Sequence, residues 1–439
     1  MLLAAHVLAA TPAFAEPKLP DPFEAQDADD VPLPDPDLWH RIRMGFVLEP
    51  MESALVQENE AWYASRPAYI RRFVDRGSRY LHHIVEQVEK RGMPTEIALL
   101  PVIESAFTPK AQSRAKASGL WQFIPSTGKS YGLTQDWWSD NRNDVVAATD
   151  AALNYLQRLH DMFGSWELAL AAYNCGEGRV SRAIAANQKK GLPTDYLSLK
   201  LPDETRNYVP RLIAVKNIVL SPVAYGIELE SVPNQPYFTT VPAPKKIDVP
   251  LAARLAGMTV EDFVALNPAH NKRVAVTSTG TLVIPLDKAD AFKENLENYD
   301  KPLVTWTTYM AKRGESVDAI AKRHRVTPSQ LRAVNDSIKV DKKGRLKVAQ
   351  QVLVPMAEQK TAGKTSTTVQ VAEAHRVTAS DALGEPSASA PSSGWYTVRA
   401  GDTLYGIARR ANIALERLLH LNALTSASIL KPGIRLRVQ

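Results

Sequence analysis

Cysteine is all but absent from this chain: Cys175 is the single one in 439 residues. It has no disulfide partner within the chain, and Cys-based zinc sites are excluded with it. Long apolar runs are equally scarce. Beyond the N-terminus no stretch reaches the ~18 apolar residues that a spanning helix needs, so the mature chain is expected to carry no transmembrane helix. The nine histidines show no metal-ligand spacing. Thr127-Gly128-Lys129-Ser130 has the ending of a phosphate loop, but Phe123 stands where the first Gly is required. No metal, nucleotide or other cofactor is therefore expected. What is present is 45% hydrophobic and 23% charged, too apolar for a disordered chain. At roughly 100–200 residues per domain, the length allows two to four domains.

Residues 1–15 form an apolar run ending in Ala13-Phe14-Ala15, followed by Glu16-Pro17. That is the small-residue cleavage pattern of a secretory signal, although no Lys or Arg precedes the run. Export is the expectation, and without a cysteine near the cleavage point a lipid anchor has no acceptor there. Residues 16–37 are acidic and proline-rich, the composition of a linker.

Residues 38–225 hold nearly all of the helical periodicity. Between Tyr69 and Val88, Ile70, Phe73, Leu81, Ile84 and Val88 recur on one helical face. Thr95 has the residue type to cap the next helix, with Glu96 and apolar Ile97, Leu99 and Leu100 behind it. Asp144 to Leu159 and Trp166 to Tyr173 continue the pattern, and a compact, mainly α domain follows.

The remainder is built from repeats. Ile320 to Asn335 and Ile407 to Asn422 match in length, begin Ile-Ala and end in Asn, with a Gly six residues ahead of each Ile. Each is flanked by β-rich runs, which gives strand, two short helices, strand (βααβ): small α+β modules at 303–355 and 395–438. A weaker copy, 238–286, runs through Ala252 to Asn267 and has Lys246 where the Gly should be. Residues 356–394, rich in Ala, Ser and Thr and without Phe, Trp or Tyr, read as a flexible linker. The two clear modules carry net charges of +8 (301–355) and +5 (396–439), which leaves the rest of the chain net acidic. Basic modules on an exported chain suit an anionic wall polymer. Nucleic acid is not expected as a partner, and the chain is expected to be a monomer.

Glu104 stands out chemically. It follows Ile97-Ala98-Leu99-Leu100-Pro101-Val102-Ile103, and Phe107 lies just beyond it. An acid in so apolar a run loses solvation, which raises its pKa. Still protonated near neutrality, it can give a proton to a leaving oxygen. Asp140, Asp144, Asp150 and Glu177 are candidates for a second acid, each with an ordinary reading as a helix-end or surface residue. Cys175 has no His close in sequence and reads as small buried filler rather than a nucleophile.

Glu104-Ser105, Ser113, Gly119-Leu120-Trp121-Gln122-Phe123-Ile124-Pro125, Ala172-Tyr173-Asn174 with Gly176-Glu177-Gly178, and Glu204-Thr205-Arg206-Asn207-Tyr208-Val209 follow in that order. Together with Leu38-Trp39-His40-Arg41-Ile42-Arg43, these segments resemble the lytic transglycosylases of the goose-lysozyme-like superfamily. The resemblance spans about 37–225 and is closest to the membrane-bound lytic murein transglycosylase D group. The repeats resemble LysM modules, which bind N-acetylglucosamine-containing glycans.

The resemblance implies a lysozyme-like catalytic domain acting on peptidoglycan glycan strands, with Glu104 first as acid and then as base. The implied product is a 1,6-anhydromuramic end. It places Ser113, Gln122, Tyr173, Asn174 and Tyr208 along the saccharide groove, Tyr173 as the tyrosine that holds the acid, and Ser105 either there or bonded to local backbone. In the last module it assigns glycan contacts to Gly401, Asp402, Thr403, Leu404 and Asn422. It also implies a periplasmic, cell-wall-associated protein. Two other readings compete: a muramidase that uses water and a second carboxylate, and a wall-binding protein without activity.

Overall fold

The computed structural model describes residues 36–277, 279–335, 338–356, 395–398, 407, 411, 413, 415–422, 424 and 433–438. The chain divides into two compact units, one ending at Gln359 and one beginning at Lys360.

Ten helices open the first unit: α1 Leu38–Met44, α2 Ala54–Ala64, α3 Pro67–Gly77, α4 Leu81–Glu89, α5 Leu100–Ser105, α6 Pro125–Ser130, α7 Val145–Phe163, α8 Trp166–Cys175, α9 Glu177–Gln188 and α10 Asp203–Leu220. Among the described residues no named strand precedes Phe238. Asp144 caps α7 by accepting from the Val146 and Ala147 amides at 3.0 and 2.9 Å, and Ser165 caps α8 through the Leu168 amide.

Two local expectations need correction. The stretch Tyr69–Val88 is two helices, broken at residues 78–80, although Ile70, Phe73, Leu81, Ile84 and Val88 are all buried together as the periodicity predicts. Thr95 caps nothing. It lies inside a 3₁₀ turn, Thr95–Leu99, and its hydroxyl donates to the Ile42 carbonyl at 2.6 Å. Gly45 packs so closely on it that an added Cβ would lie 2.4 Å from Thr95 Cγ2.

The 3₁₀ turn and α5 are buried from Thr95 to Val102, which makes this apolar run the spine of the domain, packed beneath α10. Glu96 is swallowed whole. Its carboxylate accepts the Val47 and Leu48 amides at 3.0 and 2.9 Å and pairs with buried Lys216 at 3.3 Å. Lys216 also donates to the Leu48 carbonyl. Every lobe of charge is thereby met, the condition for tolerating a buried ion pair.

Beyond the helical domain, β1 Phe238–Pro242 pairs antiparallel with β4 Thr281–Pro285, and β2 Lys246–Asp248 with β3 Val274–Val276. These strands enclose α11 Val249–Leu255 and α12 Val260–Leu266; α13 Ala289–Glu297 follows. The weakest of the repeats therefore keeps the βααβ order despite losing its Gly. Tyr80 donates to the Ala265 carbonyl at 2.9 Å and Arg79 pairs with Asp262 at 3.0 Å, so this module is bolted to the helical domain. The next module has β5 Trp306–Ala311 antiparallel to β6 Gln350–Pro355, from Trp306↔Pro355 to Ala311↔Gln350, with α14 Val317–Arg323 and α15 Pro328–Ala333 between. In the second unit, β7 Trp395–Thr397 pairs with β8 Arg435–Arg437, and α16 Leu415–Leu421 precedes β8.

The asparagine that ends each repeat explains the shared length. In all three copies its Nδ2 donates to a helix carbonyl and to a carbonyl of the last strand, while its Oδ1 accepts an amide of that strand. Asn267 bonds Phe263 and Val283, Asn335 bonds Leu331 and Leu353, and Asn422 bonds Leu418 and Arg437, with distances from 2.6 to 3.1 Å. The side chain latches the last helix to the closing strand.

Candidate active site

Glu104 sits in the last turn of α5. That helix is stopped by Ala106 and Phe107, both in the left-handed region at φ +47° and +53°. Non-glycine residues there cost roughly 1–2 kcal/mol each, a strain met by the amides of Ala106 and Phe107 returning to the Val102 and Pro101 carbonyls at 3.2 and 3.1 Å. The Phe107 ring is buried against Gly77, where a Cβ would come within 2.9 Å of it. The chain therefore reverses right after the acid and leaves it at the helix end rather than within the core.

The Gly119–Phe123 loop lies alongside. Gly119 has φ +87° and no room for a Cβ, which would stand 2.1 Å from the Arg142 carbonyl oxygen. Trp121 is fully buried and donates its indole N–H to Thr149 at 3.0 Å. Two neighbouring side chains tie down the carbonyls of this loop: Ser105 Oγ donates to Leu120 O at 3.0 Å, and Tyr173 OH donates to Trp121 O at 2.8 Å. Gln122, also left-handed at φ +48°, bonds through Nε2 to the Gly119 and Ala111 carbonyls at 2.8 and 3.2 Å. Three strained non-glycine residues thus flank one carboxylic acid, the clustering found where geometry serves function.

The tyrosines exchange the parts that the sequence suggested. Tyr208, not Tyr173, holds the acid: its hydroxyl donates to Glu104 Oε1 at 2.5 Å. Tyr173 is committed to the Trp121 backbone and packs edge-on to Phe123 and tilted against Tyr155, with ring centroids 6.3 and 5.4 Å away. Asn174 joins the two tyrosine-bearing helices by accepting from Thr205 at 2.7 Å. Burial pushes the Glu104 carboxyl up to about 7; the Tyr208 hydrogen bond and the Arg211 charge oppose that rise, and the Glu204 charge adds to it. Burial also drives both phenols well above their ordinary range, so they stay protonated as donors.

Other sequence candidates fall elsewhere. Ser105 has its hydroxyl engaged on the Leu120 and Pro101 carbonyls, the local-backbone alternative. Ser113 is exposed, and its Oγ accepts the Ala117 amide at 3.1 Å. Each possible second acid has its own partner: Asp140 pairs with Arg142, Asp144 caps α7, Asp150 pairs with Arg91, and Glu177 accepts from Tyr155. The Cys175 thiol is pushed up by burial, which disfavours its reactive thiolate form. Asn422 has its side-chain amide engaged on the latch. Gly401, Asp402, Thr403 and Leu404 lie outside the described residues.

Sequence reasoning missed one group beside the acid. A cavity of about 420 Å³ opens next to Ile103 and is lined by Trp62, Tyr69, Asn207 and Arg211. Arg211 lies three residues beyond Tyr208, one helical turn on, and that spacing was the available signal.

Residues 82–194 match the family described as Transglycosylase SLT domain, 309–355 and 396–439 match LysM domain, and 237–301 match Lytic transglycosylase MltD, LysM-like domain. Fold and site define a lysozyme-like lytic transglycosylase domain carried with LysM modules. Over 416 residues the chain is 33% identical to membrane-bound lytic murein transglycosylase D of Escherichia coli strain K12, covering 92% of this chain and 85% of that one. The chain belongs to the membrane-bound lytic murein transglycosylase D family. It is also 35% identical over 127 residues to peptidoglycan transglycosylase gp16 of Escherichia phage T7, 28% of this chain and 9% of that one. Among solved structures, lytic transglycosylase Slt of Pseudomonas aeruginosa aligns with 26% identity and a TM-score of 0.27, over 33% of this chain and 24% of that one.

Proposed function

We propose that this peptidoglycan lytic transglycosylase cleaves the β-1,4 bond between N-acetylmuramic acid and N-acetylglucosamine with Glu104 as its single acid and base. The observation that carries the assignment is a half-buried carboxyl, lifted to about 7, whose one side-chain donor among the described residues is a phenol. In the first step Glu104 gives its proton to the glycosidic oxygen. The C1–O4 bond breaks with its electron pair going to that oxygen, and the muramic N-acetyl oxygen bonds to C1. In the second step the Glu104 carboxylate takes the proton of the 6-hydroxyl, O6 attacks C1, and the acetamido oxygen leaves. The acid is regenerated and no water is consumed. An attacking group held in the same sugar needs no capture from solution.

Tyr208 orients the acid, Ser105 and Tyr173 hold the loop that carries Gln122, and Asn174 keeps α8 in register with α10. The remaining face of Gln122 serves the N-acetyl groups of the saccharide. The basic LysM modules keep the enzyme on its polymer, with tandem sites adding avidity where the linker lets both reach glycan. The apolar N-terminal run and its small-residue end support export to the periplasm and a life at the cell wall.

Digestion of purified peptidoglycan in H₂¹⁸O with mass spectrometry tests this. Wild type is expected to yield anhydro ends without ¹⁸O, and Glu104→Gln to yield none. Ends that carry ¹⁸O would replace this reading by the muramidase. Its second carboxylate would then be Glu204, the other acid whose charge reaches Glu104, and Glu204→Gln would abolish cleavage.

A further inference from the structure

The turn of α10 that brings Tyr208 to Glu104 also carries Arg211 into the adjoining cavity. This guanidinium is half-buried, and among the described residues it makes no hydrogen bond and no ion pair. Comparable arginines in this domain find carboxylates: Arg41 takes Glu89, Arg142 takes Asp140 and Arg91 takes Asp150. Withdrawing a charge from water without a partner is costly, so an empty-handed Arg211 next to the reacting centre calls for an anion brought by the substrate. Among the described residues no carboxylate pairs with it, Glu58 of the same cavity included. Trp62 and Tyr69 contribute aromatic rings, Ile103 is apolar, and the Asn207 oxygen is already occupied by the Asn59 amide at 2.7 Å. Glu58, exposed on the α2 side of the same cavity, repels an anion from that side. The Arg211 end is therefore where a carboxylate is stabilised.

The substrate's chemistry supplies one. The sugar rings are neutral, and the anionic groups of the polymer hang from the lactyl arm on O3 of the muramic ring, the ring whose C1 reacts. That arm carries either its own free carboxylate or, once amide-linked, a stem peptide with carboxylates of its own. An arm on the reacting sugar must lodge within a few bonds of Glu104, and the cavity begins at Ile103, the residue before it. We infer that this cavity receives the carboxylate-bearing lactyl arm of the muramic residue, with Arg211 as the carboxylate receptor and Trp62 as the packing face beside it. A planar guanidinium matches a carboxylate with two parallel hydrogen bonds. The inference rests on the reaction proposed above, since the arm is placed relative to the sugar that Glu104 cleaves.

The test compares kcat/KM on three glycans: stem-bearing strands with free carboxylates, the same strands with those carboxylates amidated, and stem-free strands with free lactyl carboxylates. A charge-assisted hydrogen bond is worth about 1.5–3 kcal/mol, so wild type is expected to favour a carboxylate-bearing strand over the amidated one by about tenfold or more. In Arg211→Gln that ratio is expected to fall to about one, with Arg211→Lys in between. The ratio cancels any effect of the substitution on Glu104 itself or on folding, which all strands share. Whichever carboxylate-bearing strand loses more identifies the source of the anion. A wild-type ratio of one, or a ratio that survives Arg211→Gln, overturns the inference. The form of the product ends, read in the same digests, reports separately on the reaction: ¹⁸O-labelled ends would sink the transglycosylase step whatever the ratio.

Discussion

Two carboxyl groups lie eight residues apart in one buried run, and the fold treats them in opposite ways. Glu96 is fully buried and receives two backbone amides and the Lys216 ammonium. Glu104, at the far end of the same run, receives one phenolic hydroxyl. Both are withdrawn from water, Glu96 wholly and Glu104 in part, and that withdrawal alone does not distinguish an acid catalyst from a structural brace. What distinguishes them is their partners: Glu96 holds two backbone amides and an ammonium in direct contact, while Glu104 is touched by one phenol and feels the Arg211 charge without an ion pair. The helix end adds the second difference. Glu96 is enclosed by α1 and α10, whereas the left-handed Ala106 and Phe107 turn the chain away just behind Glu104 and leave it at a helix end.

The sharpest way to break this contrast is to remove the working acid. Glu104→Gln should lower the rate of anhydro-end formation by about 10²–10⁴-fold, measured by product release. It should also stabilise the fold above neutrality. The unfolded chain loses this proton near 4.5 and the folded chain near 7, so wild-type stability falls across that interval and stays lower beyond it. The variant escapes the fall, a gain of at most about 3 kcal/mol at pH 8 that vanishes below pH 4.5. Urea unfolding at both pH values reads this directly.

Stranding the brace should act on stability alone and with the opposite sign. Lys216→Met leaves Glu96 buried without its cation and should cost about 3–5 kcal/mol. Adding Glu96→Gln should recover part of that loss. A still smaller change is Tyr208→Phe. The phenol holds the Glu104 carboxylate down, so its loss should move the alkaline limb of kcat/KM, set near pH 7 in wild type, to higher pH. The rate itself should drop by about tenfold, within the range for one hydrogen bond to a charged group. Ser105→Ala, which removes one hydroxyl from the Leu120 and Pro101 carbonyls, should cost about 1 kcal/mol or less and leave the pH profile in place.

Much of this was legible in the sequence because it rests on local pattern. The helical periodicity, the βααβ repeats and the acid in its apolar run are features of neighbouring residues. What escaped depends on distant partners. Lys216 lies 120 residues beyond Glu96, and nothing near either announces the pair. Tyr173 and Tyr208 look alike in sequence, and only the packing of α8 and α10 against α5 decides which phenol reaches the acid. The break at residues 78–80 was hidden because α3 and α4 keep their apolar faces in phase across it. The repeated terminal Asn was visible as a residue but not as a latch, since its bonds cross to a strand 15 to 18 residues further on.

The central claim is that Glu104 keeps its proton to near neutrality because its withdrawal from water outweighs the Tyr208 hydrogen bond and the Arg211 charge that oppose it. Carbon-13 NMR of the chain with labelled glutamate carboxyls, titrated from pH 3 to 9 beside Glu104→Gln, measures it. One carboxyl is expected to titrate near pH 7 and to be missing from the variant's spectra. If no carboxyl titrates above about pH 5.5, or if the one that does persists in Glu104→Gln, the account of this acid is contradicted.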